Sequence, residues 1–316
     1  MKLNDIRRSL VVGAGAMGHG IAQVYAIAGY EVDLVDAQAT ALDLARERIR
    51  SSLANLAGLG AIRREDGQAI LARIRLTTEL AMVAPHADVV TEAIVEDRDA
   101  KQELFTNLDR WLKPDALVAS NTSGLDVFAL MRDATPGRLP LMIIHHYFLP
   151  AVIIPLVEVV AGPQTSRESL DLSVRLVEKL GHVPVVLDRF HENFIVNSFQ
   201  IALASVAARL LAEGVASPEA IDKAVKNTLG IRLPVVGVVQ SLDFTGLDLI
   251  ARILRNSQID ASYFEAMVAN GRSGVKSGQG SYDYRGRVLT EIEAERDRKY
   301  LANYRNLAAI DAFERI

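Results

Sequence analysis

The chain has 316 residues, with 35 Lys and Arg against 39 Asp and Glu, for a formal net charge of −4. That balance gives no reason to expect a nucleic-acid or anionic-membrane partner, and 50% hydrophobic residues are ample for a large core. Cysteine is absent, which rules out disulfides and cysteine-ligated metal, and the length suggests two domains.

The apolar run Leu10 to Val12 predicts a first strand. Gly-Ala-Gly-Ala-Met-Gly follows at Gly13, Ala14, Gly15, Ala16, Met17 and Gly18, opening a helical pattern from Met17 to Ala28. A second strand, Glu31 to Val35, ends in Asp36. This strand, glycine turn, helix, strand and acid are the parts of a dinucleotide site. Gly13 permits the tight turn, Gly15 lets a pyrophosphate approach the backbone, and Gly18 lets the helix pack on the strand. The helix N-terminus offers unpaired N–H groups and a positive dipole end to phosphate. Asp36 can accept hydrogen bonds from the adenosine ribose. It would repel a 2′-phosphate, and Ala37, Gln38, Ala39 and Thr40 supply no Arg to offset it, so NAD is expected over NADP.

The segment Ser9 to Tyr30 has no Asp, Glu, Lys or Arg, but the dinucleotide motif explains it better than a membrane helix does. No signal-peptide cleavage pattern is evident, and a cytoplasmic location is expected.

Further along, helical periodicity covers Thr40 to Leu56, and strands are expected at Ile74–Thr77 and Ala87–Glu92. A helix over Lys101–Leu112 and a strand over Ala116–Ser120 follow, the latter ended by Asn121-Thr122-Ser123-Gly124. Two apolar runs, Leu139–Ile144 and Ile153–Val160, flank a break at Leu149-Pro150. Glu168–Leu180 reads as a helix and Val183–Leu187 as a last strand. Beyond Asp188 helical patterns dominate: Phe194–Glu213, Pro218–Leu229, Leu247–Arg255, Ser262–Ala269 and Leu289–Ala308. The expected fold is α/β, with a Rossmann-type dinucleotide-binding domain over 1–187 and an all-helical substrate and dimerisation domain over 188–316.

A nicotinamide enzyme that oxidises an alcohol needs a base for the hydroxyl proton, and histidine suits that best. Of His19, His86, His145, His146, His182 and His191, the adjacent His145 and His146 stand out. They close an apolar strand, at the carboxyl end where ligands bind in open α/β sheets. Glu158 lies inside the apolar run Ile154 to Val160, where a carboxylate is costly to bury without a partner. If the two runs pair antiparallel across Pro150, Glu158 reaches the histidine, fixes its tautomer and stabilises the imidazolium.

These residues resemble the L-3-hydroxyacyl-CoA dehydrogenase family. The likeness spans nearly the whole chain and includes the glycine motif at 13–18, Glu-Ala-Ile-Val-Glu-Asp at 92–97 and Ser-Asn-Thr-Ser at 120–123. His-Tyr-Phe-Leu-Pro at 146–150, Pro-Leu-Val-Glu-Val at 155–159, Phe-Ile-Val-Asn at 194–197 and Lys-Ser-Gly-Gln-Gly at 276–280 extend it. The resemblance implies His146 as catalytic base and Glu158 as its partner, with Ser123 and Asn197 as polar positioners. It implies cofactor contacts at Asp36, Glu96, Lys101, Ser123 and Lys276, a 3-hydroxyacyl substrate, a place in fatty-acid metabolism and a homodimer.

Three departures bear on substrate. Leu149 replaces a family asparagine, and Glu-Asn-Phe-Ile-Val-Asn-Ser at 192–198 replaces Pro-Gly-Phe-Ile-Val-Asn-Arg. Leu59 stands where a lysine usually meets the CoA phosphates, although Ser52 is kept and Arg63 and Arg64 lie close by. Gly230-Ile231-Arg232, together with Ile-Pro-Leu-Val-Glu-Val-Val at 154–160, resembles a sister branch that acts on free hydroxy acids such as L-gulonate and L-carnitine, and Arg232 could clamp a carboxylate. A thioester and a free acid both remain open, as does a non-catalytic NAD-binding role.

Overall fold

The structure is a computed structural model that describes residues 1–315, apart from the side chains at 133 and 134. The chain divides into two compact units, Met1–Ala202 and Leu203–Ile316.

The first unit is built on eight strands: β1 (Arg8–Val12), β2 (Glu31–Val35), β3 (Ile74–Thr77), β4 (Val89–Glu92), β5 (Leu117–Ser120), β6 (Met142–Tyr147), β7 (Leu156–Ala161) and β8 (Val183–Leu187). They lie in the order β3-β2-β1-β4-β5-β6-β7-β8. All neighbours run parallel except β6 and β7, which are antiparallel. The order reverses between β1 and β4, and that switch point opens a crevice at the carboxyl ends of the strands. The helices of this unit are α1 (Gly18–Ile27), α2 (Ala39–Gly58), α3 (Asp66–Ala72), α4 (Leu80–Val83), α5 (Arg98–Trp111), α6 (Val127–Ala134) and α7 (Arg167–Lys179).

The central strands are buried on both faces, and successive side chains feed two separate cores. Val11, Ile143, Val157 and Val159 join Ile21, Tyr25 and Leu176 on the α1 and α7 side. Leu10, Val12, Ile144 and Val160 join Phe105, Leu108 and Met131 on the α5 and α6 side. Side-chain caps start three of these helices. Asp97 accepts from the Ala100 amide at 2.9 Å, Asp126 from Ala129 at 3.0 Å and Ser166 from Ser169 at 3.1 Å.

The helix α8 (Val196–Ala212) runs in sequence across the division between the units. The second unit continues with α9 (Pro218–Lys226), α10 (Leu229–Thr245), α11 (Leu247–Asn256), α12 (Ser262–Ala269) and α13 (Leu289–Ala309). Its small core gathers Val275, Tyr284 and Ile292 around Phe244. Asp243 is buried beside it and accepts from the amides of Ser281 at 2.8 Å and Tyr282 at 3.0 Å and from the Tyr284 hydroxyl at 3.0 Å. A Cβ on Gly280 would sit 2.3 Å from the Asp243 carboxylate, which explains that glycine within Lys-Ser-Gly-Gln-Gly.

The structure corrects several expected boundaries. Leu139 does not begin a strand; Pro136–Leu141 is a 3-10 helix, and β6 starts at Met142. α4, α6 and α10 have no counterpart in the sequence reading. Phe194 does not begin a helix, since its φ is +49°, and α8 starts at Val196. Among the described residues no single helix is long and apolar enough to cross a membrane.

Candidate active site

At the end of β1 the three glycines have separate physical reasons. Gly13 has φ +100°, and a Cβ there would lie 2.4 Å from the Ala93 carbonyl oxygen. A Cβ on Gly18 would fall 1.7 Å from the carbonyl oxygen of Gly13, so only glycine lets α1 start this close to the strand. A Cβ on Gly15 would meet no protein atom within 4 Å, so its lack of a side chain serves no internal contact and leaves an open approach to the backbone. Ala16 and Met17 complete the turn into α1.

Asp36 stands at the end of β2. Its Oδ2 accepts from the Ala14 amide at 2.8 Å and its Oδ1 from the Gln38 amide at 2.9 Å. Beside it lies a cavity of about 440 Å³, lined by Gly13, Gly15, Asp36, Thr78, Ile94 and Val95 among others. A glycine turn open to approach, a helix N-terminus and a fixed carboxylate on one cavity fit an adenine dinucleotide.

The neighbouring strand ends carry a buried polar network. Glu92, at the end of β4, is fully buried. It accepts from Lys101 Nζ at 2.5 Å, from Ser120 Oγ at 2.5 Å and from the Ile94 amide at 2.9 Å. Lys101 is itself buried and also lies 3.2 Å from Glu96. Glu96 in turn accepts from the Thr122 hydroxyl and from the Ser123 amide at 2.9 Å. Partial burial opposes its charge, but Thr122, Lys101 and Ser123 together hold its carboxyl below the ordinary carboxylate range. Lys101 therefore fixes, through Glu96, the loop that presents the exposed Ser123. Glu92, Ser120 and Thr122 were given no role by the sequence reading. The signal was there: a lone carboxylate at the end of an apolar strand, with a lysine nine residues on.

β6 and β7 pair antiparallel with His146 directly opposite Glu158. His146 Nδ1 lies 2.7 Å from Glu158 Oε2. The glutamate is fully buried and the histidine nearly so. An ionised carboxylate can only accept, so Nδ1 carries the proton and the Nε2 lone pair is left to act as a base. Among the described residues no group hydrogen-bonds Nε2. The other oxygen of Glu158 accepts from the amides of Ile195 and Val196, each at 2.9 Å. The His146 ring is held between Phe148 and Phe194, at centroid distances of 4.5 Å and 5.2 Å.

His145 points to the other face of the sheet, as alternation requires. It is fully buried, hydrogen-bonds Ser173 through Nε2, and burial pushes its pKa down to about 3. It is a neutral core residue. His19 and His182 bond main-chain carbonyls of Gly15 and Ala151, and His191 that of Glu192.

Asn197 Nδ2 donates to the Ser123 carbonyl at 3.2 Å, and Tyr147 N donates to Asn121 Oδ1 at 2.9 Å, which ties β6 to the serine loop. The first unit thus brings His146, Glu158, Ser123 and Asn197 together, with Glu96 and Lys101 behind them. Ser52 lies part-exposed on α2, outside that group. Lys276 and Arg232 belong to the second unit: Lys276 pairs with Asp248 at 2.5 Å, and Arg232 is exposed on α10 with no side-chain hydrogen bond among the described residues. Arg63 donates twice to Asp66, at 2.8 Å each, while Arg64 and Arg50 flank a groove between α2 and α3.

Residues 9–190 match the family model described as 3-hydroxyacyl-CoA dehydrogenase, NAD binding domain, and residues 194–284 match the C-terminal domain of the same family. A probable 3-hydroxybutyryl-CoA dehydrogenase of Deinococcus radiodurans is 37% identical over 87% of this chain and 99% of its own. A 5-formyl-3-hydroxy-2-methylpyridine 4-carboxylate 5-dehydrogenase of Mesorhizobium japonicum is 29% identical over 94% of this chain and 97% of its own. Among solved structures, a 3-hydroxyacyl-CoA dehydrogenase of Archaeoglobus fulgidus superposes with a TM-score of 0.77 at 28% identity, covering 96% of this chain and 99% of that one.

Proposed function

We propose, since the chain belongs to the 3-hydroxyacyl-CoA dehydrogenase family, that it oxidises the 3-hydroxyl of a 3-hydroxyacyl-CoA thioester to the ketone. It is an NAD-dependent oxidoreductase. The observation that carries the reading is the buried His146–Glu158 pair at 2.7 Å beside a dinucleotide cradle. A bound NAD would supply the acceptor for the hydride that leaves the carbinol carbon. The chain's own part is proton transfer and orientation. His146 Nε2 takes the hydroxyl proton, and Glu158, ionised across the ring, stabilises the imidazolium that forms. Ser123, on the loop braced by Glu96, and Asn197, at the start of α8, orient the oxygen to be oxidised. Asp36 would hold the adenosine ribose.

One observation favours a second reading, a free hydroxy acid as substrate. Leu59, in the place of the family lysine, is 71% exposed, and Arg63 is occupied by Asp66. Arg64 and Arg50 remain as cations nearby for CoA phosphates, with Ser52 close in sequence, whereas Arg232 suits a carboxylate. Purified protein supplied with NAD and either 3-hydroxybutyryl-CoA or free hydroxy acids decides between them. NADH formation with the thioester supports the first reading, and formation with free acids alone overturns it.

A homodimer, a cytoplasmic location and a place in fatty-acid metabolism belong to the same proposal. The dimer is supported by the apolar side chains that the second unit exposes, among them Leu203, Val206, Val239, Ile253 and Leu301.

A further inference from the structure

The four residues from Asn193 to Val196 join the segment after β8 to α8, and their backbone is unusual. Asn193 and Phe194 both have positive φ, +65° and +49°. Asparagine accepts this conformation readily; phenylalanine seldom does. Neighbours hold the turn in place. The Phe194 amide donates to the His191 carbonyl at 3.1 Å, the Ser198 hydroxyl donates to the Phe194 carbonyl, and the Phe194 side chain is buried. Two left-handed residues in succession swing the next two amides inward, and both end on Oε1 of Glu158. The same turn sets the Phe194 ring against His146.

We propose that this turn is a positioning element for the catalytic pair, and that its two amides keep the pair in the state that can accept a proton. The inference rests on the reading of His146 as the base. Before the proton arrives, the pair is a neutral histidine and an ionised glutamate, one net negative charge in a buried site. After it arrives, the imidazolium offsets that charge. Donors on Oε1 therefore stabilise the state before transfer more than the state after it. Without them the pair would hold its proton more tightly.

The surroundings leave this work to the amides. β6 brings only His146 to Glu158, because His145 and Tyr147 lie on the opposite face. β8 sets Val185 beside it. The charged and titratable residues of the connecting segment, Asp188, Arg189, His191 and Glu192, are exposed. The start of α8 contributes Asn197, which carries no charge.

Val196 is the first residue of α8, a position that accepts proline because its N–H has no partner within the helix. Val196→Pro removes one donor. The test is an NMR titration of the His146 imidazole in the free protein, read beside the acid limb of the rate of alcohol oxidation. A hydrogen bond to a charged group is strong enough to move both upward by about one pH unit, a tenfold change in proton affinity. Replacing the Val196 amide by an ester removes the same donor with the side chain kept, and it gives the same reading should the proline variant not fold. Glu158→Gln moves the limb the opposite way, to lower pH, so general loosening of the site cannot mimic the result. A folded variant whose His146 titrates as in the parent protein overturns the proposal. The titration uses neither substrate nor cofactor. An upward shift in a protein that fails to oxidise any 3-hydroxyacyl compound would therefore contradict the functional reading and leave the role of the turn standing.

Discussion

His145 and His146 are neighbours in sequence with opposite fates, because a strand turns successive side chains to opposite faces. His146 meets a carboxylate, whereas His145 meets Ser173 in a closed core. The difference yields a stability prediction. Unfolded, His145 takes up a proton near the ordinary value of 6.5; folded, it does so only near 3. Between those values the unfolded chain binds more protons, so His145 makes stability fall as pH falls. In His145→Gln, denaturant unfolding measured across that window should show a pH slope shallower by one proton, with the acid limb of catalysis unmoved. An unchanged slope would place His145 in solvent. At the same scale, Asp36→Ala should weaken NAD binding and narrow its margin over NADP, since both the ribose acceptor and the repulsion of a 2′-phosphate are lost; a wild-type preference for NADP in a binding titration would contradict this.

Within the β1–α1 turn, three glycines that look alike in sequence should respond differently to substitution. Gly18→Ala drives a Cβ to 1.7 Å from a backbone oxygen and should cost stability in a thermal melt. Gly15→Ala meets no protein atom and should melt as the parent does while binding NAD less well. Equal melting temperatures for the two would refute the assignment of their roles. This motif was legible because each part has a side-chain signature at fixed spacing, and the His146–Glu158 pair was legible because polar residues stood inside apolar strands. Other elements left weaker marks. α6 is short, and α10 holds Pro234 and bends at Gly237, where φ is +67°, so neither shows a long regular period. The start of β6 was misplaced because Leu139 and Leu141 flank Pro140 in a 3-10 turn that is as apolar as the strand. The amides on Glu158 were invisible, since every residue has an N–H and only the fold decides where it points.

For the whole molecule, the two units differ in how completely they bury their apolar residues. The first has two cores on either side of a sheet, and the second a small one with many apolar side chains exposed. Light scattering should therefore give a mass near twice the 34.4 kDa of the chain, and a monomer at micromolar concentration would contradict the dimer. The central claim is that His146, oriented by Glu158, is the base for NAD-dependent oxidation of a 3-hydroxyacyl substrate. The most direct measurement is the rate of NADH formation from 3-hydroxybutyryl-CoA by the parent protein and by His146→Gln, with NAD affinity measured on both. The account predicts turnover by the parent, a loss of about two to four orders of magnitude in the variant, and NAD affinity little changed. A variant as active as the parent, or a parent inert toward the thioester, would contradict it.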